Sequence, residues 1–351
     1  MNDFDDIAML LLILVPLAGS LSMMFMPGGQ RKETWYFAIF ISAISLALSL
    51  VIFANYNYNA GGFQYTATYE WLPGPLDISL SLGLDGISAP MILLNGIVLF
   101  GGVLISQTIQ YRPREFFVLL FALAAGVYGV FVARDLFFLF FFYELAVLPM
   151  YLLIGVWGSS TDFGTFLRTK EYGAMKLLIF LVAGSIAVWV GILALYAESS
   201  NLGAATFSLE GLGQLAESGQ IDEDFQKWVF PLFMIGFGTL AGLWPFHTWS
   251  PDGHVAAPTA VSMLHAGVLM KLGAYGIIRV GLFLLPEGAE AWMPVLIALG
   301  TVNVLYGAIS AMSQNDLKYI IGYSSVSHMG YVIMGIATLD SIGMGGAVLQ
   351  M

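Results

Sequence analysis

Apolar residues do not alternate with polar ones along this chain; they run together. Windows of about twenty residues almost without charge recur from end to end, which is the length an α-helix needs to cross the hydrocarbon of a bilayer. They predict membrane helices over residues 7–26, 34–55, 88–109, 115–133, 136–157, 173–196, 228–247, 258–283, 292–312 and 319–337, with an eleventh apolar segment beginning near 341. Because Ser341 to Met351 opens a helix and then stops, the chain reads as a piece of a longer one. Tyr56 to Asp85, with Trp71-Leu72-Pro73-Gly74-Pro75 at its centre, is too broken to span lipid and is expected as an extramembrane loop or short hairpin. Glu198 to Gln226 is acidic, glycine-rich and partly amphipathic, and is expected to lie on the membrane surface. The fold class expected is all-α: a polytopic transmembrane helix bundle with the lipid bilayer as its solvent.

Composition narrows the partners. Of 351 residues 58% are hydrophobic and only 10% charged, far from the mix of a water-soluble domain. The net charge of −11 comes largely from acids outside the apolar runs, such as Asp3, Asp5 and Asp6 or Asp222, Glu223 and Asp224, and no basic patch invites nucleic acid. With no cysteine, the chain ligates no iron–sulfur cluster and forms no disulfide or thiolate zinc site, so a redox cofactor is expected only in a partner. No short apolar segment with an Ala-x-Ala-like end marks a cleaved signal peptide. Arg31 and Lys32, Arg112 and Arg114, and Arg168 and Lys170 mark the first, third and fifth connections as cytoplasmic, which puts the N-terminus outside. Arg134 and Arg279 fall on the outer side and dissent.

Three titratable residues fall where lipid should exclude them. A charge at the bilayer centre costs at least ~2.5–3.5 kcal/mol, so each needs a partner, a wet cavity or a task. Glu144 lies halfway along the fifth predicted helix, Lys271 halfway along the eighth and His328 halfway along the tenth, so that together they define one plane. Each has a plainer reading: a neutral structural carboxyl, an amine that snorkels, a packing histidine satisfied by Ser324, Ser325 and Ser327. The functional reading is proton transfer, since burial brings the proton affinities of an acid and an amine toward neutrality. Pro149 loosens the helix beside Glu144. Metal binding is disfavoured, because no His-x-x-x-His or Glu-x-x-His spacing occurs and His247, His254 and His265 are spread over a loop and a helix.

The segment Pro245 to His254 packs prolines, a glycine and two histidines between the seventh and eighth helices. It suits either a plain turn or a broken helix end lining a polar cavity, and Gly242 and Pro245 favour the second. A short echo links Arg134-Asp135-Leu136, which opens the fifth helix, to Asn315-Asp316-Leu317, which opens the tenth. An offset of five helices reverses direction through the membrane, as an inverted repeat requires.

The runs Asp135 to Glu144, His247-Thr248-Trp249, Pro251 to Ala260, Gln314 to Lys318 and Tyr323 to Gly330 resemble the antiporter-like membrane subunits of respiratory complex I, its subunit M branch in particular. The resemblance implies a fourteen-helix fold with inverted five-helix repeats. Residues 1–110 would then be the N-terminal helices with an outer loop at 56–87, residues 111–284 the first repeat, and residues 285–351 an incomplete start of the second. It implies a non-redox subunit of a proton-translocating NADH:quinone oxidoreductase in a prokaryotic plasma membrane, beside other membrane-arm subunits. NADH, FMN, iron–sulfur clusters and quinone would all belong to partners. By motif, Glu144, Lys271 and His328 match the family's proton-relay glutamate, lysine and histidine, while Lys176, Lys227, His247, His254 and His265 are candidate accessory members.

Two departures stand out. The family's lysine on the seventh helix is replaced by Leu240, a gap that Lys176, Lys227 or a chain of water would have to bridge, and helices eleven to fourteen are absent or partial. Two other functions fit the same residues: a subunit of a multisubunit sodium/proton antiporter or membrane-bound hydrogenase, and a structural member of the membrane arm that has lost pumping.

Overall fold

A computed structural model describes residues 3–27, 31–72, 78–162 and 167–351; the sequence Pro73-Gly74-Pro75 lies outside the described residues. Long helices account for the apolar runs: α1 (Asp3–Met24), α2 (Arg31–Asn55), α3 (Ser88–Ile105), α4 (Pro113–Val132), α5 (Leu136–Trp157) and α6 (Lys170–Asn201). Between α2 and α3 a hairpin, β1 (Gln64–Leu72) with β2 (Ile78–Leu84), forms where a loop or short hairpin was expected, and a two-residue ladder, β3 (Thr161–Asp162) with β4 (Leu167–Arg168), precedes α6. The acidic connection contains α7 (Leu209–Glu217), which buries Leu209, Leu212, Leu215 and Ala216 and turns Glu210 and Glu217 outward.

The predicted seventh and eighth helices are not continuous. The seventh is α8 (Glu223–Ala241), a break, a 3-10 turn over Phe246–Thr248, and α9 (Trp249–Ala256). The eighth is α10 (Thr259–Leu264), a π-helical turn at His265–Leu269, α11 (Met270–Gly276) and a second π-helical turn at Ile277–Leu282. α12 (Pro286–Met312), α13 (Leu317–Ile336) and α14 (Ser341–Gln350) complete the chain. Among the described residues nine segments are long and apolar enough to cross a membrane. α13 is as long as several of these but carries Lys318, three serines and His328 and falls short of their apolarity.

α4 is the central post, with Phe116 through Phe131 almost wholly buried. Lipid supplies no hydrophobic drive between helices, so close approach of small residues has to hold them together. Gly126 is an instance: a methyl group there would meet the Ala146 nitrogen at 2.7 Å and the Phe142 carbonyl at 2.8 Å, so α5 lies against bare backbone. Gly184 on α6 abuts Gly236 and Thr239 of α8 in the same way.

The two ends of the bundle differ in charge. At one end Arg31 bonds the Gln107 carbonyl, Arg114 that of Met26 (3.0 Å), Lys170 that of Val156 (2.8 Å), and Lys318 those of Val255 and Ala257 (both 3.2 Å). At the other, the dissenting arginines are neutralised locally: Arg134 pairs with Glu210 at 2.5 Å and Arg279 with Asp85, and Phe63 lies between the two guanidiniums.

Candidate functional site

Asp135 starts α5 by accepting hydrogen bonds from the Phe137 and Phe138 amides at 2.9 and 3.2 Å, a side-chain cap that fixes the helix register. Glu144 follows two and a half turns on, facing α6, where Ser185 is its hydrogen-bonding neighbour. One carboxyl oxygen, Oε1, is buried without a protein partner. The Ser185 hydroxyl donates to the Leu181 carbonyl at 2.9 Å and lies 3.2 Å from the Tyr143 hydroxyl. Pro149 has no amide to offer the Leu145 carbonyl, yet α5 runs through it unbroken. Among the described residues no ion pair reaches Glu144.

α8 ends at Gly242, whose φ of +75° is the left-handed turn glycine adopts without strain. Asn303, fully buried on α12, holds the opened chain: its Oδ1 accepts from the Trp244 amide (2.9 Å), and its Nδ2 donates to the carbonyls of Gly242 (3.2 Å) and Val326 (3.0 Å). The Trp249 indole closes the break by donating to the Thr239 carbonyl at 2.9 Å. All of α9 is buried, including Asp252 and His254.

Asp252 is the hub of the basic end. It takes Lys176 of α6 at 2.8 Å, Arg168 of β4, and the Tyr319 hydroxyl of α13 at 3.3 Å. Burial opposes the Arg168 charge, but the Asp252 carboxylate and the Tyr319 hydroxyl outweigh it and hold the guanidinium above its ordinary pKa.

Above Asp252 the rings of His254 and His265 stack with centroids 4.0 Å apart, and Trp249 stacks on the far side of His265 at 5.1 Å. His254 Nδ1 lies 3.1 Å from the Ser262 hydroxyl; His254 Nε2 and both nitrogens of His265 have no protein partner. Lys271 sits between the two π-helical turns and donates to the Ala266 carbonyl, a group the first of those turns places within its reach. Its charge acts on both imidazoles. His247, edge-on to Tyr306 at 4.8 Å, feels the charge of Lys176.

The structure thus gathers Lys176, His247, His254, His265 and Lys271 along the two broken helices. The expectation that the histidines are spread over a loop and a helix is corrected: two of them are stacked, because α9 folds back against α10. Three candidates lie elsewhere. Glu144 stands apart on α5. His328 is exposed on α13 with Nδ1 2.9 Å from Gln350, and Lys227 is only partly buried at the start of α8, paired with Glu223 one turn before it. Among the described residues no three potential ligands converge as a metal would need. Leu240, 1% exposed, occupies a turn of α8 packed against Gly273 of α11 through its neighbours Ala241 and Phe237. Asp252 and Asn303 were missed from sequence, although Asp252 is the only acid between Lys227 and Glu287 and Asn303 the only amide in its apolar run.

Broken helices meeting at buried titratable groups define a polytopic membrane protein with a polar interior rather than a plain apolar bundle. More narrowly, the chain belongs to the NADH:quinone oxidoreductase/Mrp antiporter transmembrane family, whose model matches residues 133–351. It is 37% identical over 346 residues to NAD(P)H-quinone oxidoreductase chain 4 3 of Picosynechococcus sp., covering 97% of this chain and 59% of that protein. It therefore spans less than two thirds of that curated relative. A chain of respiratory complex I from Thermus thermophilus with bound NADH superposes with a TM-score of 0.84 at 26% identity, covering 97% of this chain and 67% of that one. The Mrp complex from Dietzia sp. contains a chain with the same fold, with a TM-score of 0.78 at 24% identity, covering 97% and 35%. The antiporter-like resemblance holds at the level of the family, with chain 4 as the relatives' name.

Proposed function

We propose that this chain is a proton-translocating membrane-arm subunit of an NADH:quinone oxidoreductase, a counterpart of chain 4 in the subunit M branch. Residues 111–284 form its first repeat and residues 285–351 open the second. Asp135 and Asp316 cap helices that start from opposite ends of the bundle, as inverted repeats would. The basic end faces the cytoplasm.

The observation that carries this reading is the line of titratable groups along the broken helices, from Asp252 and Lys176 through the His254–His265 stack to Lys271. A carboxyl, an imidazolium and an ammonium group each hold a proton that a neighbouring charge can dislodge. At ~4 Å and an effective dielectric near ~20 one unit charge is worth about 4 kcal/mol, roughly a thousandfold in proton affinity. Quinone chemistry in partner subunits then needs only to shift these charges to load and unload the line. Glu144 loads across the α5–α6 seam, and the stacked histidines take the place left by Leu240.

In membrane vesicles holding the whole complex, Glu144→Gln and Lys271→Met should each cut protons moved per quinone reduced to about a tenth or less, as loss of a proton-transfer group does. Unchanged pumping per turnover in both would leave a structural subunit. A second reading, a subunit of an Mrp-type antiporter, is favoured by the family description, which covers both kinds of complex. Co-purification from mild detergent separates the two, since redox subunits accompany the chain in one case and not in the other.

A further inference from the structure

We infer that the basic end carries a binding site for one anionic phospholipid, in the groove between the last turns of α1 and α5 and the first turns of α4. A cavity of about 360 Å³ lies there. Its mouth is polar: Arg112 and Arg114, with side chains 52% and 33% exposed, share the single carboxylate of Glu115 at 3.5 and 3.3 Å. Two guanidiniums against one carboxylate leave one positive charge unanswered. The Arg112 backbone is held in the left-handed region at φ +47°, unusual for a residue with a side chain, and immediately precedes Pro113 at the start of α4. Arg114 is pinned by its bond to the Met26 carbonyl, so the mouth is prearranged.

Below the mouth the walls turn apolar. Leu119 lies five residues, about 7 Å, further into the membrane than Arg114, and faces Leu152 of α5 across the groove. Trp157 closes the side, its indole fixed at the interface by a 2.6 Å bond to the Tyr111 carbonyl. A charged mouth at headgroup depth over an apolar slot matches a lipid with a phosphodiester and an acyl chain, and basic pockets between membrane helices bind anionic headgroups. The neighbouring cavity at Arg31, Lys32 and Glu33 lacks the aliphatic slot. A zwitterionic lipid brings its own ammonium and leaves the extra charge on Arg112 and Arg114 unanswered, so the occupant is of the phosphatidylglycerol class.

The test uses the complex containing the full chain, reconstituted in phosphatidylcholine bilayers with either phosphatidylglycerol or phosphatidylcholine brominated in mid-chain. The Trp157 fluorescence is taken as the difference between wild type and Trp157→Phe. Brominated phosphatidylglycerol should quench it at about one fifth the mole fraction that brominated phosphatidylcholine requires, the preference expected of one uncompensated cation. Arg112→Gln/Arg114→Gln should remove the preference and keep the quenching. Equal quenching by both lipids in wild type would mean unselective surrounding lipid. Quenching by neither would mean that a protein segment fills the groove, and loss of the preference in millimolar inorganic phosphate would mean a phosphate site. Each of these overturns the inference, and none depends on the double variant assembling.

Discussion

The unbroken helix α5 and the interrupted path from α8 to α11 solve the same problem in opposite ways. Both hold ionisable groups where lipid would exclude them. An unbroken helix uses up its own backbone, so Glu144 has only a neighbouring hydroxyl and a carboxyl oxygen with no protein partner. The broken helices release backbone groups. Carbonyls solvate cations and not carboxylates, so Lys271 rests on the Ala266 carbonyl and Lys318 on two carbonyls at the end of α9, while Asp252 has to recruit Arg168 and Lys176. Breaks thus make room for positive charge, and an acid in an intact helix stays poised without a counter-charge.

The sharpest way to break this comparison is Asp252→Ala. It leaves two cations facing each other at a buried site, and removing one partner of such a group costs about 3 kcal/mol, the low end of the range because Arg168 and Lys176 are 32% and 20% exposed. The thermal inactivation midpoint of the solubilised complex should fall, and less of the chain should accumulate in membranes. Glu144→Gln removes no ion pair and should leave that midpoint near wild type while abolishing pumping. Equal destabilisation by the two variants would mean that the network at the break is not special.

Asn303→Leu is the next largest effect. It strips the partner from the Trp244 amide and from the Gly242 and Val326 carbonyls. Hydrogen bonds between membrane helices average about 0.6 kcal/mol, so three are worth roughly 2 kcal/mol, or about thirtyfold in local opening. Hydrogen exchange at Trp244 should quicken by that factor with little change in α5. Unchanged exchange would show that Pro245 and Gly242 shape the break alone.

Much of this was legible in the sequence. The apolar runs placed the long helices to within a few residues, because length and the absence of charge are direct consequences of the solvent. Gly242 and Pro245 pointed to the break for the same local reason, and the Tyr56–Asp85 composition pointed to the hairpin. What did not show was tertiary. Nothing in the spacing of His254 and His265, eleven residues apart across Pro258, reveals that α9 folds back to stack them. The π-helical turns around Lys271 leave the apolar pattern intact and change only which carbonyls are available. Asp252 was hidden by its setting: at a turn or a broken helix end beside a polar cavity an acid needs no explanation, whereas in a wholly buried helix it demands one. Lys227 erred the other way, a cation near a predicted helix end that looked available for a relay.

That error yields the smallest expected effect and a clean control. Lys227 lies one turn into α8, with its side chain 41% exposed, and pairs with Glu223 on the preceding turn. Exposed pairs of this spacing contribute little because water and salt screen both charges. Its helix starts at the end of the bundle away from Asp252, with the Lys227 carbonyl bonded to the Trp292 indole at 2.9 Å. Lys227→Ala should therefore leave proton pumping per turnover, its pH profile and the thermal midpoint indistinguishable from wild type. Lys176→Ala should disturb all three, because Lys176 faces Asp252 and its charge reaches His247. If Lys227→Ala instead slowed pumping as much as Lys176→Ala, the path would have to leave the broken helices and run along the surface of α8, and the contrast between intact and interrupted helices would lose its functional meaning.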